Sequence, residues 1–207
     1  MRRGYDQYCP LAHALDLVGE RWALLVVREL MRGPKRYTDL AERLPGIGTN
    51  ILAARLRTLE AAGVVAKRRL PPPAASQVYE LTEYGQSLRA VMRELALWGA
   101  RSLGPPTAEA ELFPGWLHGA LGTMLPDDAP PGRFLFRVGD EVASVVDGAV
   151  TEGTIEAPDV VVEGDAVGLY HLLIERRADD VSIEGDDALL DRLLDAMRTA
   201  AEPAAVA

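Results

Sequence analysis

The chain has few of the residues that hold metal ions or close disulfide bonds. Cys9 is the only cysteine among 207 residues, so no internal disulfide and no cluster of thiolate ligands can form. The three histidines, His13, His118 and His171, are scattered and have no carboxylates at metal-ligand spacing. Glycine-rich phosphate loops, nucleophile elbows and paired catalytic carboxylates are also missing from the sequence. We therefore expect no metal, no cofactor and no enzymatic activity.

Long apolar runs are absent as well. No stretch approaches the ~18 apolar residues that a helix needs to span a bilayer. The residues Tyr5, Asp6, Gln7 and Tyr8 interrupt any signal-peptide core near the N-terminus. The composition thus predicts a cytoplasmic protein with no membrane partner.

Acidic residues outnumber basic ones, but the two signs are concentrated in different halves of the chain. Residues 1–103 contain 16 Lys and Arg and 10 Asp and Glu, a net charge of +6, whereas residues 104–207 contain 6 and 21, a net charge of −15. These values sum to the −9 of the whole chain. Because domains usually span ~100–150 residues, the asymmetry predicts a basic domain at 1–103 and an acidic domain at 109–200, joined by a Gly-Pro-Pro linker.

The first half has the periodicity of four helices, a short hairpin and a last helix. The third helix is predicted to be N-capped by Thr38, and the fourth to begin at Thr49 or Asn50. Two short strands then flank a proline-rich tip, and a long helix runs from Thr82 through Leu103. This order of elements is that of a winged helix-turn-helix domain.

The fourth predicted helix has one apolar side. Leu52, Leu56 and Leu59 recur at i, i+4 and i+7 and form the inward stripe. Asn50 and Arg57 consequently face outward, as do two small alanines, and Arg55 lies on the flank.

The second half reads as an α+β domain. Phe134, Phe136 and Val138 alternate with Arg133, Leu135 and Arg137 and indicate a strand with one apolar face. A pattern of apolar strand, Gly-Asp and leucine-rich helix then occurs twice, in which Asp165 and Asp186 are predicted helix caps. We expect a mainly antiparallel sheet with helices on one side.

An ordered series of residues marks the first half as a known type of domain. They are Cys9-Pro10, Gly19-Glu20-Arg21-Trp22, Arg36-Tyr37-Thr38-Asp39-Leu40, Leu52, Arg55-Leu56, Leu59-Glu60, Gly63-Val64-Val65, Arg68, Tyr79-Glu80-Leu81-Thr82, Gly85 and Trp98. Through these residues the first half resembles the HxlR family of bacterial transcription regulators, a branch of the winged-helix proteins related to the MarR type. Glu20 departs from the family pattern, in which glycine is more usual. The resemblance implies DNA binding and, at the position of Cys9, a redox- or electrophile-sensing thiol.

The strand and helix pattern from Val160 to Met197 is similar to sterol carrier protein-like domains. Such domains often enclose an apolar cavity, so this resemblance implies a ligand-binding half. The predicted ligand-binding residues are Trp116, Leu121, Phe134, Phe136, Leu169, Tyr170, Leu173 and Met197. Each of them, taken alone, suits a packed core equally well.

Basic residues concentrate in one segment of this acidic chain. Residues 49–69 contain four arginines and one lysine against a single glutamate. An amide side chain can pair with adenine and an arginine with guanine or phosphate, although a charged run is also the usual solvated face of a helix. For Arg55 an ion pair with Glu60 or a neighbouring helix stays open. The predicted DNA-binding residues are Lys35, Arg36, Tyr37, Thr38, Thr49, Asn50, Arg55, Arg57, Arg68 and Arg69.

These patterns favour a homodimeric winged-helix regulator, a repressor that binds a pseudo-palindromic operator in double-stranded DNA and senses a small apolar ligand. The apolar stripe of the last helix, which contains Leu88, Val91, Met92, Leu95 and Trp98, suits dimerisation as well as an intradomain core. Two alternatives remain open. One is a thiol switch at Cys9, and the other is a lipid or small-molecule carrier that does not regulate transcription.

Overall fold

The computed structural model describes residues 4–107 and 112–201. The chain divides into two compact units, Met1–Leu95 and Ala96–Ala207. Among the described residues, no helix combines the length and the apolar character required to cross a bilayer.

The first unit has the predicted order of helices and strands, except that two helices follow the hairpin in place of one. Its elements are α1 (Pro10–Val18), α2 (Ala23–Met31), α3 (Tyr37–Arg43), α4 (Thr49–Ala61), β1 (Val65–Arg69), β2 (Gln77–Leu81), α5 (Glu83–Gln86) and α6 (Leu88–Leu103), which continues past the boundary into the second unit. The winged helix-turn-helix fold predicted from the sequence is confirmed.

The start of α3 differs from the prediction. The helix begins at Tyr37, and the carboxylate of Asp39 accepts a hydrogen bond from the backbone N–H of Arg36 at 2.8 Å. The hydroxyl of Thr38 lies inside the helix, 3.4 Å from the Asp39 carboxylate. Thr38 as the N-cap was therefore wrong, because a carboxylate in the first turn satisfies the preceding backbone donor.

The long helix expected from Thr82 is two helices, α5 and α6, separated at Ser87. The Thr82 hydroxyl accepts from the N–H of Gly85 at 3.0 Å and donates to the carbonyl of Gly63 at 2.6 Å. A Cβ at Gly85 would lie 2.1 Å from the carbonyl oxygen of Val64. Close packing against the start of β1 thus fixes a single short turn before α6 begins.

The core of the first unit lies between α2 and α4. Leu52, Leu56 and Leu59 are at most 1% exposed, which confirms the predicted inward stripe. Their partners in the buried cluster from α2 are Ala23, Val26, Val27 and Leu30.

The two strands of the wing form an antiparallel ribbon in which Val65 lies opposite Leu81 and Arg68 opposite Val78. On its other edge, β2 is joined to Lys35, which lies two residues before α3. The N–H of Lys35 donates to the carbonyl of Tyr79 at 3.0 Å, and the N–H of Tyr79 donates back at 2.8 Å. These bonds hold the wing against the start of the helix-turn-helix.

Within its described residues, the second unit combines one sheet with several helices and includes the last residues of α6. Its further elements are α7 (Trp116–Met124), β3 (Arg133–Val138), β4 (Glu141–Val146), β5 (Ala149–Glu152), β6 (Val160–Gly164), α8 (Ala166–Tyr170), a π-helical turn (His171–Glu175), β7 (Val181–Gly185) and α9 (Asp187–Ala201). The strand order is β5-β4-β3-β6-β7. Neighbouring strands are antiparallel except β3 and β6, which are parallel.

Both faces of β3 are covered. Phe134 and Phe136 are fully buried in a cluster with residues of α7, α8 and α9. Leu135 points to the opposite face, as the alternation predicts, yet it is only 2% exposed. The chain from β5 to β6 must cross one face of the sheet, because β4 and β3 lie between those strands. Arg133, which shares the face of Leu135, shows that the chain crosses on this side. The guanidinium of Arg133 donates to the carbonyl of Glu156 at 2.6 Å and fastens the crossing segment there.

The two predicted helix caps of the second unit are confirmed. The N–H of Gly168 donates to the Asp165 carboxylate at 2.8 Å, and the N–H of Leu189 donates to the Asp186 carboxylate at 2.9 Å. Each aspartate satisfies a backbone donor in a first turn that has no partner within its own helix.

Candidate nucleic-acid interface

The first turn of α4 is the most exposed part of that helix. Thr49, Asn50 and Ile51 are exposed, whereas Leu52 is fully buried. Gly48 occupies the N-cap position and has no side chain with which to satisfy the first N–H groups. This turn therefore presents a hydroxyl, an amide, an apolar side chain and the positive end of the helix dipole.

Tyr37 connects α3 to the start of α4. Its hydroxyl donates to the carbonyl of Thr49 at 2.8 Å, and its ring packs against the core of the first unit. The tyrosine thus fixes the position of the first turn of α4, and its hydroxyl proton is already engaged.

The other predicted DNA-binding residues near α3 differ in their exposure to solvent. Arg36 and Thr38 are exposed, whereas Lys35 is partly buried. Burial lowers the pKa of the Lys35 ammonium, and the positive charge of Arg43 lowers it further. Lys35 consequently has less surface available for a ligand than its neighbour Arg36.

Arg55 is turned toward the protein. Its side chain is only 17% exposed and forms an ion pair with Glu20 at 3.2 Å, in the turn between α1 and α2. The sequence suggested Glu60 or a neighbouring helix as the partner. Glu60 is instead paired with Lys67 at 2.9 Å, a hydrogen bond that raises the pKa of Lys67. Contact between Arg55 and DNA stays a prediction.

Arg57 is exposed about two turns after the start of α4. It has no ion-pair partner among the described residues. Arg57 and Asn50 therefore have charged or polar groups free on the outer side of this helix.

The two arginines of the wing lie on opposite faces of the ribbon, because successive side chains of a strand alternate. The Nε of Arg68 donates to both carboxylate oxygens of Glu80, at 2.9 Å each. Arg69 is exposed, and its Nε lies 3.4 Å from the carbonyl of Ala75. Lys67 shares the face of Arg69 and lies 5.6 Å from the centre of the Tyr79 ring. Strand alternation was the signal that could have separated Arg68 from Arg69.

A buried charge in α2 was missed. Glu29 is 0% exposed and lies 2.8 Å from a terminal nitrogen of Arg28 and 3.9 Å from one of Arg43. The sequence of α2 reads as apolar almost all round, and only the arginine directly before Glu29 indicated a partner.

The structure places most of the predicted ligand-binding residues in one packed cluster. Tyr170 is half-buried, with its ring centre 6.0 Å from that of His171, and Trp116 packs against the cluster. The other six are buried members of the cluster: Leu121, Phe134, Phe136, Leu169, Leu173 and Met197. Ligand binding by these residues stays a prediction.

A surface groove lies elsewhere on the second unit. It has a volume of about 340 Å³, and none of the eight predicted ligand-binding residues lines it. Its lining residues are Leu172, Arg176, Ala178, Ile183, Asp187, Leu190, Asp191 and Leu194.

Cys9 occupies the N-cap position of α1 in an extended conformation, with φ of −139°, and is half-buried and free. Its side chain makes no capping hydrogen bond. Within residues 4–107 and 112–201, no group of three or more His, Cys, Asp or Glu side chains is arranged to hold a metal ion.

An exposed helix N-terminus, a supporting helix and a two-stranded wing define this unit as a winged helix-turn-helix DNA-binding module. Comparison with known families agrees, since residues 17–106 match the family model described as HxlR-like helix-turn-helix. The HTH-type transcriptional regulator YodB of Bacillus subtilis is 38% identical over 98 residues, which are 47% of this chain and 88% of that protein. The uncharacterized HTH-type transcriptional regulator sll1512 of Synechocystis is 34% identical over 107 residues, 52% of this chain and 79% of that protein.

Among solved structures, the reduced form of YodB from B. subtilis is 37% identical and matches 47% of this chain and 96% of that chain, with a TM-score of 0.42. On the sequence matches, the chain belongs to the HxlR family of helix-turn-helix transcriptional regulators and is a DNA-binding regulator. The family match ends at residue 106.

Proposed function

We propose that the protein is a homodimeric repressor that reads a pseudo-palindromic operator through α4 and the wing, and that its second unit binds a small apolar molecule. The observation that carries the DNA-binding part is the first turn of α4. Thr49 and Asn50 are exposed there above a stripe of leucines that is at most 1% exposed. The buried stripe fixes the helix, and the polar turn is left free to enter a major groove.

Three exposed side chains of α4 each match a different group of DNA. The amide of Asn50 matches the donor and acceptor of an adenine edge, and Arg57 matches guanine or a phosphate. Ile51, which is 43% exposed, offers an apolar contact to a thymine methyl group. Phosphates are contacted by Arg36, Arg69 and the unsatisfied N–H groups at the start of α4.

Exposed apolar side chains on two helices support the dimer. On α6, Val91 is 59% exposed, Leu95 46% and Trp98 67%, and on α1 Leu11 is 68% and Leu15 42% exposed. Several large apolar side chains exposed along one helix are typical of a protein interface. One recognition helix reads one half-site, so a dimer reads two half-sites about 34 Å apart. Sedimentation at micromolar concentration tests the dimer, and a monomer there would exclude it.

The test of the DNA contact begins with selection of bound duplexes from a random pool. Fluorescence anisotropy then compares the wild type with Asn50→Ala on the selected operator and on single-base variants. We expect the variant to lose about 1–3 kcal/mol of discrimination at one adenine position. Arg192→Ala, an exposed arginine of α9, is the control and should bind as the wild type does. Equal weakening of Asn50→Ala on every sequence would exclude a base contact.

The ligand part of the proposal is supported by the sterol carrier protein-like pattern and by the apolar cluster of the second unit. A ligand can regulate DNA binding only if it prefers one state of the dimer over another. Native mass spectrometry of the freshly purified dimer should show an added mass that is lost on denaturation. Addition of the extracted molecule should then change operator affinity, and an unchanged affinity would contradict the proposal.

The alternative source of the signal is the thiol of Cys9, which stands free at the start of α1. Cys9 is only half-buried, so small oxidants and electrophiles can reach its thiol. Cys9→Ser separates the two mechanisms. A ligand-gated repressor still responds to its ligand in this variant, whereas a thiol switch loses its response to oxidants and electrophiles.

A further inference from the structure

Arg68 of β1 and Glu80 of β2 form an ion pair between the two strands of the wing. Both oxygens of Glu80 accept from the single Nε–H of Arg68, at 2.9 Å each. The register of the ribbon explains this pairing, since Glu80 lies opposite Ala66 and Arg68 opposite Val78. All four residues therefore share one face, and Arg68 and Glu80 are diagonal neighbours.

Both members of this pair are accessible to solvent. The side chain of Arg68 is 45% exposed and that of Glu80 is 28% exposed. A DNA phosphate that approaches Arg68 consequently meets the carboxylate as well. The pair has no net charge, so a phosphate beside it displaces few of the condensed counterions that drive sequence-independent binding.

Arg69 provides the contrast within the same strand. It is exposed on the other face of the ribbon and has no ion-pair partner among the described residues. A phosphate that contacts Arg69 is neutralised by a full positive charge. The two neighbouring arginines thus differ in the electrostatic contribution that each can make.

We propose that Glu80 competes with DNA phosphate for Arg68 and so restrains the sequence-independent affinity of the wing. The proposal rests on the proposed function in one respect, that the wing faces DNA. Glu80 is an affinity-setting residue here and does not itself touch a base.

The experiment measures binding to a random-sequence duplex by anisotropy between 50 and 200 mM salt, for wild type and Glu80→Gln. Glutamine keeps the size of the side chain and removes its charge. We expect tighter binding and a slope of log affinity against log salt that is steeper by about one unit. The affinity ratio of variant to wild type should then fall about fourfold across this salt range.

The double variant Arg68→Ala/Glu80→Gln tests whether Glu80 changes DNA affinity through Arg68. If Glu80 acts through Arg68, the change at Glu80 leaves the slope of Arg68→Ala the same. Glu94→Gln is the matched control, because it removes a carboxylate that pairs with Arg93 at 3.2 Å on α6. It should leave the slope of the wild type unchanged.

Three results would overturn the proposal. Weaker binding by Glu80→Gln would mean that the carboxylate orients Arg68 toward DNA. An equal gain in the Arg68→Ala background, or with Glu94→Gln, would indicate a general effect of net charge. An unchanged slope would mean that Arg68 makes no phosphate contact. If the wild type binds no duplex at any salt concentration, the proposed function itself fails.

Discussion

The two units place their carboxylates differently. Among the described residues of the basic first unit, five glutamates are paired with arginine or lysine: Glu20, Glu29, Glu60, Glu80 and Glu94. In the acidic second unit, Glu163 and Asp195 also pair with arginines, but other carboxylates hold helix starts. Asp165 and Asp186 cap helices, and Glu141 accepts from the N–H of Leu117 at the start of α7. The net charge of +6 in residues 1–103 therefore overstates the number of cations that DNA can use.

The interiors of the two units also differ in the polar side chains that they bury. Among the described residues, the buried charged or polar side chains are Glu29 in the first unit and Ser144 in the second. Burial of an ionised carboxylate is costly unless it is paired, and Arg28 pairs with Glu29. The second unit relies on an apolar core that includes Phe134 and Phe136 at 0% exposure. Substitutions in each unit test whether the two units are stabilised independently of each other.

The largest expected effect comes from the cores. Phe136→Ala should lower the free energy of unfolding of the second unit by about 3–5 kcal/mol, and Leu56→Ala that of the first unit by about 2–5 kcal/mol. Urea unfolding followed by tryptophan fluorescence measures both. In a Trp22→Phe background the fluorescence comes from Trp98 and Trp116. Both belong to the second unit, so the signal then reports the unfolding of that unit.

Each core variant should shift only the transition of its own unit. Phe136→Leu, which keeps most of the apolar volume, is the milder control in the second unit. If Phe136→Ala and Leu56→Ala shift the same single transition, the two units unfold as one.

Next in size are the buried polar groups. Glu29→Gln should cost about 1–3 kcal/mol, because the charge-assisted hydrogen bond from Arg28 at 2.9 Å is weakened. Ser144→Ala removes one hydrogen bond, from its hydroxyl to the carbonyl of Gly153 at 2.6 Å, and should cost about 1 kcal/mol. Urea unfolding of both variants tests the order. A smaller cost for Glu29→Gln than for Ser144→Ala would mean that Glu29 contributes no stability as an ion.

Helix caps should have smaller effects that are similar in the two units. Asp186→Ala removes the acceptor for the N–H of Leu189, and Thr82→Ala removes the acceptor for the N–H of Gly85. Each should cost about 1 kcal/mol in urea unfolding. Asp186→Asn keeps an acceptor and should cost only a few tenths of a kcal/mol. A full loss in Asp186→Asn would show that the charge, and not the hydrogen bond, stabilises α9.

Sequence patterns predicted the elements of the first unit and the exposed turn of α4 because both depend on local periodicity. Leu52, Leu56 and Leu59 are three successive members of one helical stripe, and their burial follows from spacing alone. The ion-pair partners of the arginines could not be predicted from spacing. Glu20 and Arg55 are 35 residues apart, and only the fold brings the α1–α2 turn beside α4.

In the second unit, too, local sequence patterns predicted the helix caps and the strands. They did not predict that the outer face of β3 is covered by another segment of the chain. Asp165 and Asp186 cap helices that begin one residue later. Leu135 alternates with two arginines, which placed it on the outer face, yet it is buried there. The parallel pairing of β3 with β6 requires the crossing segment that covers it, and no local pattern specifies a crossing.

The smallest effect is expected at an exposed ion pair of the second unit. Arg137 lies directly opposite Glu163 across β3 and β6 and forms an ion pair with it, and both side chains are about half exposed. Glu163→Gln should change the free energy of unfolding by less than about 1 kcal/mol, because exposed pairs gain little over their hydration. The substitution is chemically the same as Glu80→Gln, and the arginine is again the partner. Its effect on DNA binding should nevertheless be nil in a salt titration on a random-sequence duplex, because the arginine that it frees is not in the wing. If Glu163→Gln steepens the salt dependence as much as Glu80→Gln does, DNA senses the total charge of the chain, and the contrast between the two units has no bearing on binding.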